Sequence, residues 1–188
     1  MIKKYYVDSN SIDSIPFNVS CIGNFDGVHL GHQALISKTV ELANSLKVLP
    51  FVITFDKDPI DVISSKKEKH ITTLNKRIKL FEKFGIKGVV IVKFDQDLMN
   101  LQTKEFSDDY LKKFNIKSLV CGFDFHYGKF GKGNYKTLEK ELKGYCDVFV
   151  VDEVKYYSKK ISSSRIKKEI EKKNYKLVNR MLGYEYKR

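Results

Sequence analysis

Five short runs of almost unbroken apolar residues constrain this chain more than any other feature: NVSCIG (18–23), LPFVITF (49–55), GVVIVKF (88–94), SLVCGF (118–123) and YCDVFVV (145–151). A strand with one wet face alternates apolar and polar side chains; these runs do not, as expected of strands covered on both faces. Between them Leu35, Leu42, Ala43 and Leu46, then Leu74, Ile78, Phe81 and Phe84, recur at helical spacing, and Phe106, Tyr110 and Leu111 do so more loosely. The alternation predicts an α/β fold, five parallel strands covered by crossover helices. After residue 152 the strand signal stops, and SSSRIKKEIEKKNYKLVNRML (162–182) reads as one or two helices opening at a serine cap. That tail is expected to be a helical extension, about 160–188, of one domain spanning 1–188. With 188 residues, 42% of them hydrophobic, the chain can bury one core of ordinary size and is not expected to be disordered. SSKKEKH (64–70) reads as a mobile surface loop.

Charge and cysteine content narrow the setting. The net charge of +12 is uneven, with +7 of it in residues 151–188. Arg occurs only at 77, 165, 180 and 188. Readers of nucleic-acid bases lean on the bidentate guanidinium, so a lysine-rich solvated surface is the simpler reading and a nucleic-acid partner is disfavoured. Cys21, Cys121 and Cys146 form no CxxC pair and are odd in number, as expected of reduced core thiols. No apolar stretch approaches a membrane span, and MIKKYYVDSN lacks the apolar core of a signal peptide. A cytoplasmic protein with no membrane partner is expected.

The strongest chemical signal is IGNFDGVHLGHQALI (22–36), which follows the first apolar run and leads into a helix. It forms the loop at the carboxyl end of a strand, where open α/β sheets bind ligands. Gly27 and Gly31 allow a sharp turn and close backbone approach, and the helix that follows offers free N–H groups and a positive dipole end to an anion. His29 and His32 flank Gly31 and can each donate a hydrogen bond to a phosphate oxygen. The same residues admit two other readings, a metal site made by the imidazoles with Asp26, or simple turn capping. Farther on, Gly122, Gly128, Gly131 and Gly133 crowd around Asp124, Phe125 and Tyr127, combining backbone freedom with aromatic faces that suit a planar ring. Asp124 can hydrogen-bond a ligand hydroxyl or hold Mg²⁺ through water. Lys160 and Lys167 bracket Ser162, Ser163 and Ser164, so cations, hydroxyls and helix N–H groups can converge on a triphosphate.

NFDGVHLGH resembles the HxGH signature of nucleotidylyltransferases, VCGFDFHYGKFGKGNYKTL (120–138) the glycine-rich segment of bacterial FAD synthetases, and KISSSRIKKEI (160–170) their ISST-x-IR motif. From about residue 19 to LGYEY (182–186) the chain is similar to the FMN adenylyltransferase module of that family, with the motifs in its order. The resemblance implies a Rossmann-like nucleotidyltransferase fold and transfer of AMP from ATP to FMN, giving FAD and pyrophosphate. It implies His29 and His32 as catalytic groups; Gly23, Asn24, Phe25 and Gly31 around the nucleotide; Lys160, Ser163, Ser164 and Lys167 on the phosphates; and Asp124 and Tyr127 toward nucleotide and flavin. Mg²⁺ is expected to ride mainly on the ATP phosphates, with no protein metal site of its own.

Three departures from the family pattern stand out. Ser164 replaces a threonine and Lys167 an arginine, exchanging a planar fork for a point charge. TFDKDP (54–59) carries Lys57 and Asp58 where the family has proline and histidine, in a loop that lies toward the acceptor. The chain ends just past LGYEY, where the family continues into riboflavin kinase, so kinase activity is not expected here, and the source of FMN, a separate riboflavin kinase being one option, stays open. The alternatives are a related transferase acting on another phosphorylated acceptor, such as a phosphopantetheine or glycerol phosphate, and a non-catalytic module binding nucleotide, flavin or nucleic acid.

Overall fold

A computed structural model of the chain describes residues 1–8, 11, 14–63 and 69–187. In chain order its elements are β1 (Lys3–Val7), β2 (Asn18–Ile22), α1 (Leu30–Leu46), β3 (Leu49–Phe55), α2 (Pro59–Ile63), α3 (Leu74–Lys83), β4 (Gly88–Val92), α4 (Gln96–Asn100), α5 (Thr103–Asp109), β5 (Ile116–Gly122), α6 (Tyr135–Glu141), β6 (Asp147–Val151), the short strands β7 (Lys155–Tyr156) and β8 (Lys159–Lys160), α7 (Ser163–Glu171) and α8 (Tyr175–Leu182). The main sheet has the order β1-β4-β3-β2-β5-β6 with every neighbouring pair parallel, and β7 and β8 form a separate antiparallel hairpin. Five of the expected loop residues, 64–68, lie outside the described residues.

The five apolar runs are β2 to β6, and alternation along them feeds two cores. Phe51, Ile53 and Phe55 of β3 face Leu111, Phe114 and Leu138 on one side, while Val52, with Val19 and Cys21 of β2, faces Ala43, Ile78 and Phe81 on the other. Gly88 is required by this packing, because a Cβ there would lie 2.2 Å from the Phe51 ring. The sheet has six strands rather than the expected five. The sixth, β1, carries the sequence KKYYV at a sheet edge, with Tyr5 and Val7 buried and both lysines and Tyr6 exposed. An alternating strand with edge lysines is typical of a sheet border and is not an unbroken apolar run.

Because β3 and β4 lie on one side of β2 while β5 and β6 lie on the other, the loops leaving β2 and β5 diverge and open a crevice at their carboxyl ends. α7 and α8 close one flank of it. Ile161, Ile166, Val178, Met181 and Leu182 form a third cluster that takes in Ile71, and Gln33 on α1 donates to the Leu182 carbonyl at 2.6 Å, docking α8 beside the crevice.

Candidate active site

The loop after β2 is held in an unusual backbone conformation. Phe25, Gly27 and Val28 have φ of 58°, 82° and 38°. Two of these are not glycine, and left-handed backbone at such residues costs on the order of 1 kcal/mol or more each. Burial offsets it: both side chains are fully enclosed, and the Phe25 ring packs edge-on to Phe81 with centroids 5.4 Å apart. Asp26, only 4% exposed, locks the turn between them. Its carboxylate accepts from the N–H groups of Ile71 (3.2 Å) and Thr72 (3.0 Å) and from the Thr72 hydroxyl (3.2 Å). The Asp26 carbonyl accepts from the Ser163 hydroxyl at 2.8 Å, and the Tyr184 hydroxyl donates to the Gly27 carbonyl at 2.6 Å. Segment 71–72, α7 and the residues after α8 therefore all grip the same four-residue turn.

His29 ends the turn as the N-cap of α1, its Nδ1 accepting from the His32 N–H at 3.3 Å. A neutral ring that accepts at Nδ1 carries its proton on Nε2, where it can be donated. The two imidazoles stack with centroids 3.7 Å apart and an interplanar angle of 13°. Burial pushes His29 down to about 4, outweighing the opposing pull of Asp26. The same desolvation, reinforced by His29, Arg77 and Lys160, holds His32 well below its ordinary value. Both rings are therefore neutral hydrogen-bonding groups near pH 7, not cations. Face-to-face stacking also keeps their lone pairs from converging, and among the described residues the crevice gathers no three metal-ligating groups.

The crevice is a cleft of about 320 Å³ that brings together Gly23, Asn24, Phe25, His29, Gly31, His32, Asp124, Lys160 and Ser163. Two helix amino termini meet there. α1 presents Gly31 and His32 with no acidic residue in its first turn, and α7 presents Ser162 and Ser163. Two positive dipole ends, with the His32 and Arg165 N–H groups taken by the His29 and Ser162 caps, suit an anion. The Lys160 ammonium pairs with the Asp124 carboxylate across the cleft and lies 4.7 Å from the centre of the Phe123 ring. Asp152 and Glu153 also line it.

Ser164, Lys167 and Tyr127 are placed elsewhere. Ser164 does not line the cleft, and Lys167 sits one helical turn deeper with its ammonium 3.6 Å from the Asp26 carboxylate, bordering a different hollow with His70 and Tyr186. Tyr127 lines a second cleft of about 450 Å³, whose walls include Val62, Phe94, Leu98, Met99 and Phe130. Its ring stacks on Phe125 (5.8 Å, 11°), and its buried hydroxyl donates to Glu141 at 2.8 Å. Burial, with that carboxylate beside it, raises the phenol far above its ordinary value. The two clefts share the wall formed by Phe55, Pro59, Phe125 and His126.

Sequence reasoning missed the residues that hold Asn24. The Arg77 guanidinium, 6% exposed, donates to the Asn24 carbonyl and side-chain oxygen, and the Asn24 amide nitrogen donates to Asp58. The signal was available for Arg77, which falls on the apolar stripe of α3 between Leu74 and Ile78, where a charge needs a buried partner. None was available for Asp58, whose partner lies 34 residues earlier.

This arrangement joins a polar anion cleft to an aromatic slot, and sequence comparison decides what carries it. The FAD synthetase family model matches residues 14–165. This chain belongs to the FAD synthetase family. It is 37% identical over 171 residues to the bifunctional riboflavin kinase/FMN adenylyltransferase of Bacillus subtilis, covering 90% of this chain and 54% of the relative. The Listeria monocytogenes protein of the same description is 36% identical, with 89% and 54% covered. The chain thus spans about half the length of the curated relatives it matches. A solved structure described as a macrolide-efflux protein from Streptococcus pneumoniae superposes with a TM-score of 0.89 at 26% identity, over 99% of this chain and 72% of that one. Pantoate-beta-alanine ligase from Francisella tularensis shares the fold at a TM-score of 0.53 and 14% identity, covering 92% of this chain and 78% of its own. The FAD synthetase assignment fits a Rossmann-like α/β sheet, and no helix among the described residues is long and apolar enough to cross a membrane.

Proposed function

We propose that residues 1–188 work as one FMN adenylyltransferase module, transferring AMP from ATP to the 5′-phosphate of FMN to give FAD and pyrophosphate. The observation that carries this reading is the shared wall between the two clefts. A polar cleft flanked by two helix amino termini suits a triphosphate, and the adjoining slot lined by Phe94, Phe125, Tyr127 and Phe130 suits a flat tricyclic ring. An acceptor phosphate reaching across Phe125 arrives beside His29 and His32. Its oxygen attacks the α-phosphorus in line as the bond to the bridging oxygen breaks, and that oxygen leaves with its electron pair in pyrophosphate, so no covalent enzyme intermediate is required.

The protein's part is positioning and charge stabilisation. His29 and His32, neutral and largely desolvated, donate to non-bridging oxygens as negative charge builds there. Lys160 exchanges its Asp124 partner for the leaving phosphates, and Ser163 with the first turn of α7 lines their path. Lys167, beside the Asp26 carboxylate, supports that turn from behind, and Ser164 is exposed in the first turn of α7. Asp124, Asp152 and Glu153 line the cleft, and any one of these carboxylates would hold, directly or through water, a Mg²⁺ ion bound with ATP. Its contribution is neutralisation of phosphate charge. FMN comes from a riboflavin kinase, the activity paired with this one in the descriptions of the curated relatives, and the setting is the cytoplasm.

The test is incubation of purified protein and Mg²⁺ with ATP or CTP and with FMN, riboflavin or phosphopantetheine, followed by chromatography. FAD and pyrophosphate from FMN and ATP are expected. Turnover of phosphopantetheine with none of FMN would overturn the acceptor, and absence of turnover with any pair would overturn the reaction.

A further inference from the structure

Behind the cleft, on the far side of Asn24, Asp26, Asp58 and His70 bring their ligand atoms within 4.8 Å of one another. We propose that these three side chains bind one first-row divalent cation, with Asp61 as the outer carboxylate that orients the imidazole. The site needs no bound nucleotide and does not depend on the transferase reading.

The three ligand atoms lie close together, Asp58 Oδ2 also accepting from the Asn24 amide and Asp26 Oδ2 from the Ile71 N–H. His70 Nδ1 lies 3.5 Å from Asp58 Oδ2 and 3.8 Å from Asp26 Oδ2. Two ligands bonded at ~2.1 Å around a tetrahedral ion stand ~3.4 Å apart, so the His70–Asp58 and His70–Asp26 separations each suit one shared ion with sub-ångström adjustment. On the other edge of the ring, His70 Nε2 meets Asp61 Oδ2 at 2.6 Å. If Nε2 donates there, Nδ1 faces two carboxylate oxygens, an arrangement relieved either by a proton on Nδ1 or by a metal ion between them. A histidine that ligates through one nitrogen and donates to a carboxylate through the other is the usual build of such sites. The second oxygen of Asp61 has no hydrogen-bond partner among the described residues. Lys167 stands 3.6 Å from the Asp26 carboxylate, and Arg77 shares a hollow with Asp58, Asp61 and His70. His70 is 30% exposed, and a hollow lined by Asp58, Asp61, His70 and Arg77 gives an ion its way in. One imidazole with carboxylates suits zinc, cobalt or manganese better than thiolate-seeking ions. The ion would tie three segments together: the turn at 24–27, the residue that leads into α2, and residues 70–72.

The experiment is titration of chelator-treated protein with Zn²⁺ by calorimetry and with Co²⁺ by visible absorption, no nucleotide being present. One ion per chain is expected. His70→Ala should lose at least tenfold in affinity, and Asp61→Asn, which keeps the ligands, should lose roughly 10- to 100-fold. Far-UV circular dichroism checks that each variant folds, and Asp58→Asn, also expected to weaken binding at least tenfold, stands in if His70→Ala does not. No stoichiometric binding by the wild type, undiminished binding in folded His70→Ala, or binding lost instead in His29→Ala would each overturn the site.

Discussion

Replacing His29 by Asn keeps a side-chain acceptor at the N-cap of α1 and removes an imidazole that burial holds at a pKa of about 4. In the unfolded chain that imidazole titrates at about 6.5. The folded value is the depressed one. Above about pH 6.5 the ring is neutral in both states and has no effect on stability; between about 6.5 and 4 the unfolded chain takes up the proton and the fold does not, so stability falls. Below about 4 both states are protonated and the loss levels off at on the order of 3 kcal/mol. At pH 5 the loss from this one residue is about 2 kcal/mol. The assay is urea unfolding of wild type and His29→Asn at pH 7.5, 6 and 5. Carboxylates that titrate in the same range are common to both proteins and cancel in the difference. The wild type should lose about 2 kcal/mol more than the variant between pH 7.5 and 5, whatever constant offset the lost ring stacking produces at pH 7.5. Parallel stability curves would show that the folded ring takes a proton freely. The description of the pair as neutral donors would then fail, and with it the neutral-donor mechanism.

Three further outcomes are expected. His32→Ala should lower turnover on the order of a hundredfold while changing the ATP Michaelis constant far less, because a donor that strengthens as charge develops acts in the transition state; steady-state kinetics over ATP concentration separates the two. Gly88→Ala should destabilise the protein by about 1–3 kcal/mol in urea unfolding, since its new methyl would sit 2.2 Å from the Phe51 ring in the middle of the sheet. Lys167→Ala, which removes the ammonium beside Asp26, should lower the melting temperature and leave ATP affinity within about twofold, whereas a tenfold loss of ATP affinity at unchanged stability would move this lysine into the phosphate site.

Much of this fold is legible because two-sided burial leaves a direct mark on composition. β4, GVVIV, is buried along its whole length and carries no alternation to confuse with a surface strand, whereas β2, NVSCI, is equally buried although Asn18 and Ser20 alternate with apolar residues. β1 obeys the opposite rule, one face wet and lysines at the border, and five residues of alternation are too few to stand out. The histidine loop was equally plain, because a glycine-punctuated strand-to-helix turn with two imidazoles has a restricted set of uses. The residues that hold that loop were not. Asp26 meets Thr72 and Tyr184 meets Gly27 across 46 and 157 positions, and nothing local in a sequence reports such a distance.

The helix α7 shows how a motif can be sound while its letters divide between two tasks. Read as a string, Lys160, Ser163, Ser164 and Lys167 form one phosphate-binding patch. A helix spreads them out. Ser162 caps α7 and Ser163 begins it, so only the first turn faces the cleft, and each residue farther on lies ~1.5 Å deeper along the axis. Lys167, four positions after Ser163, falls on the same helical face about 6 Å away from the anion-binding end. That face abuts Asp26: Ser163 donates to its carbonyl, and Lys167 stands 3.6 Å from its carboxylate. One helix edge thus reads a single aspartate twice, and Asp26 in turn fixes the backbone that leads to His29. In such an arrangement arginine and lysine at position 167 differ chiefly in how they meet a carboxylate beside the loop, not in how they fork around a phosphate. The lysine found here is therefore compatible with an intact nucleotide cleft.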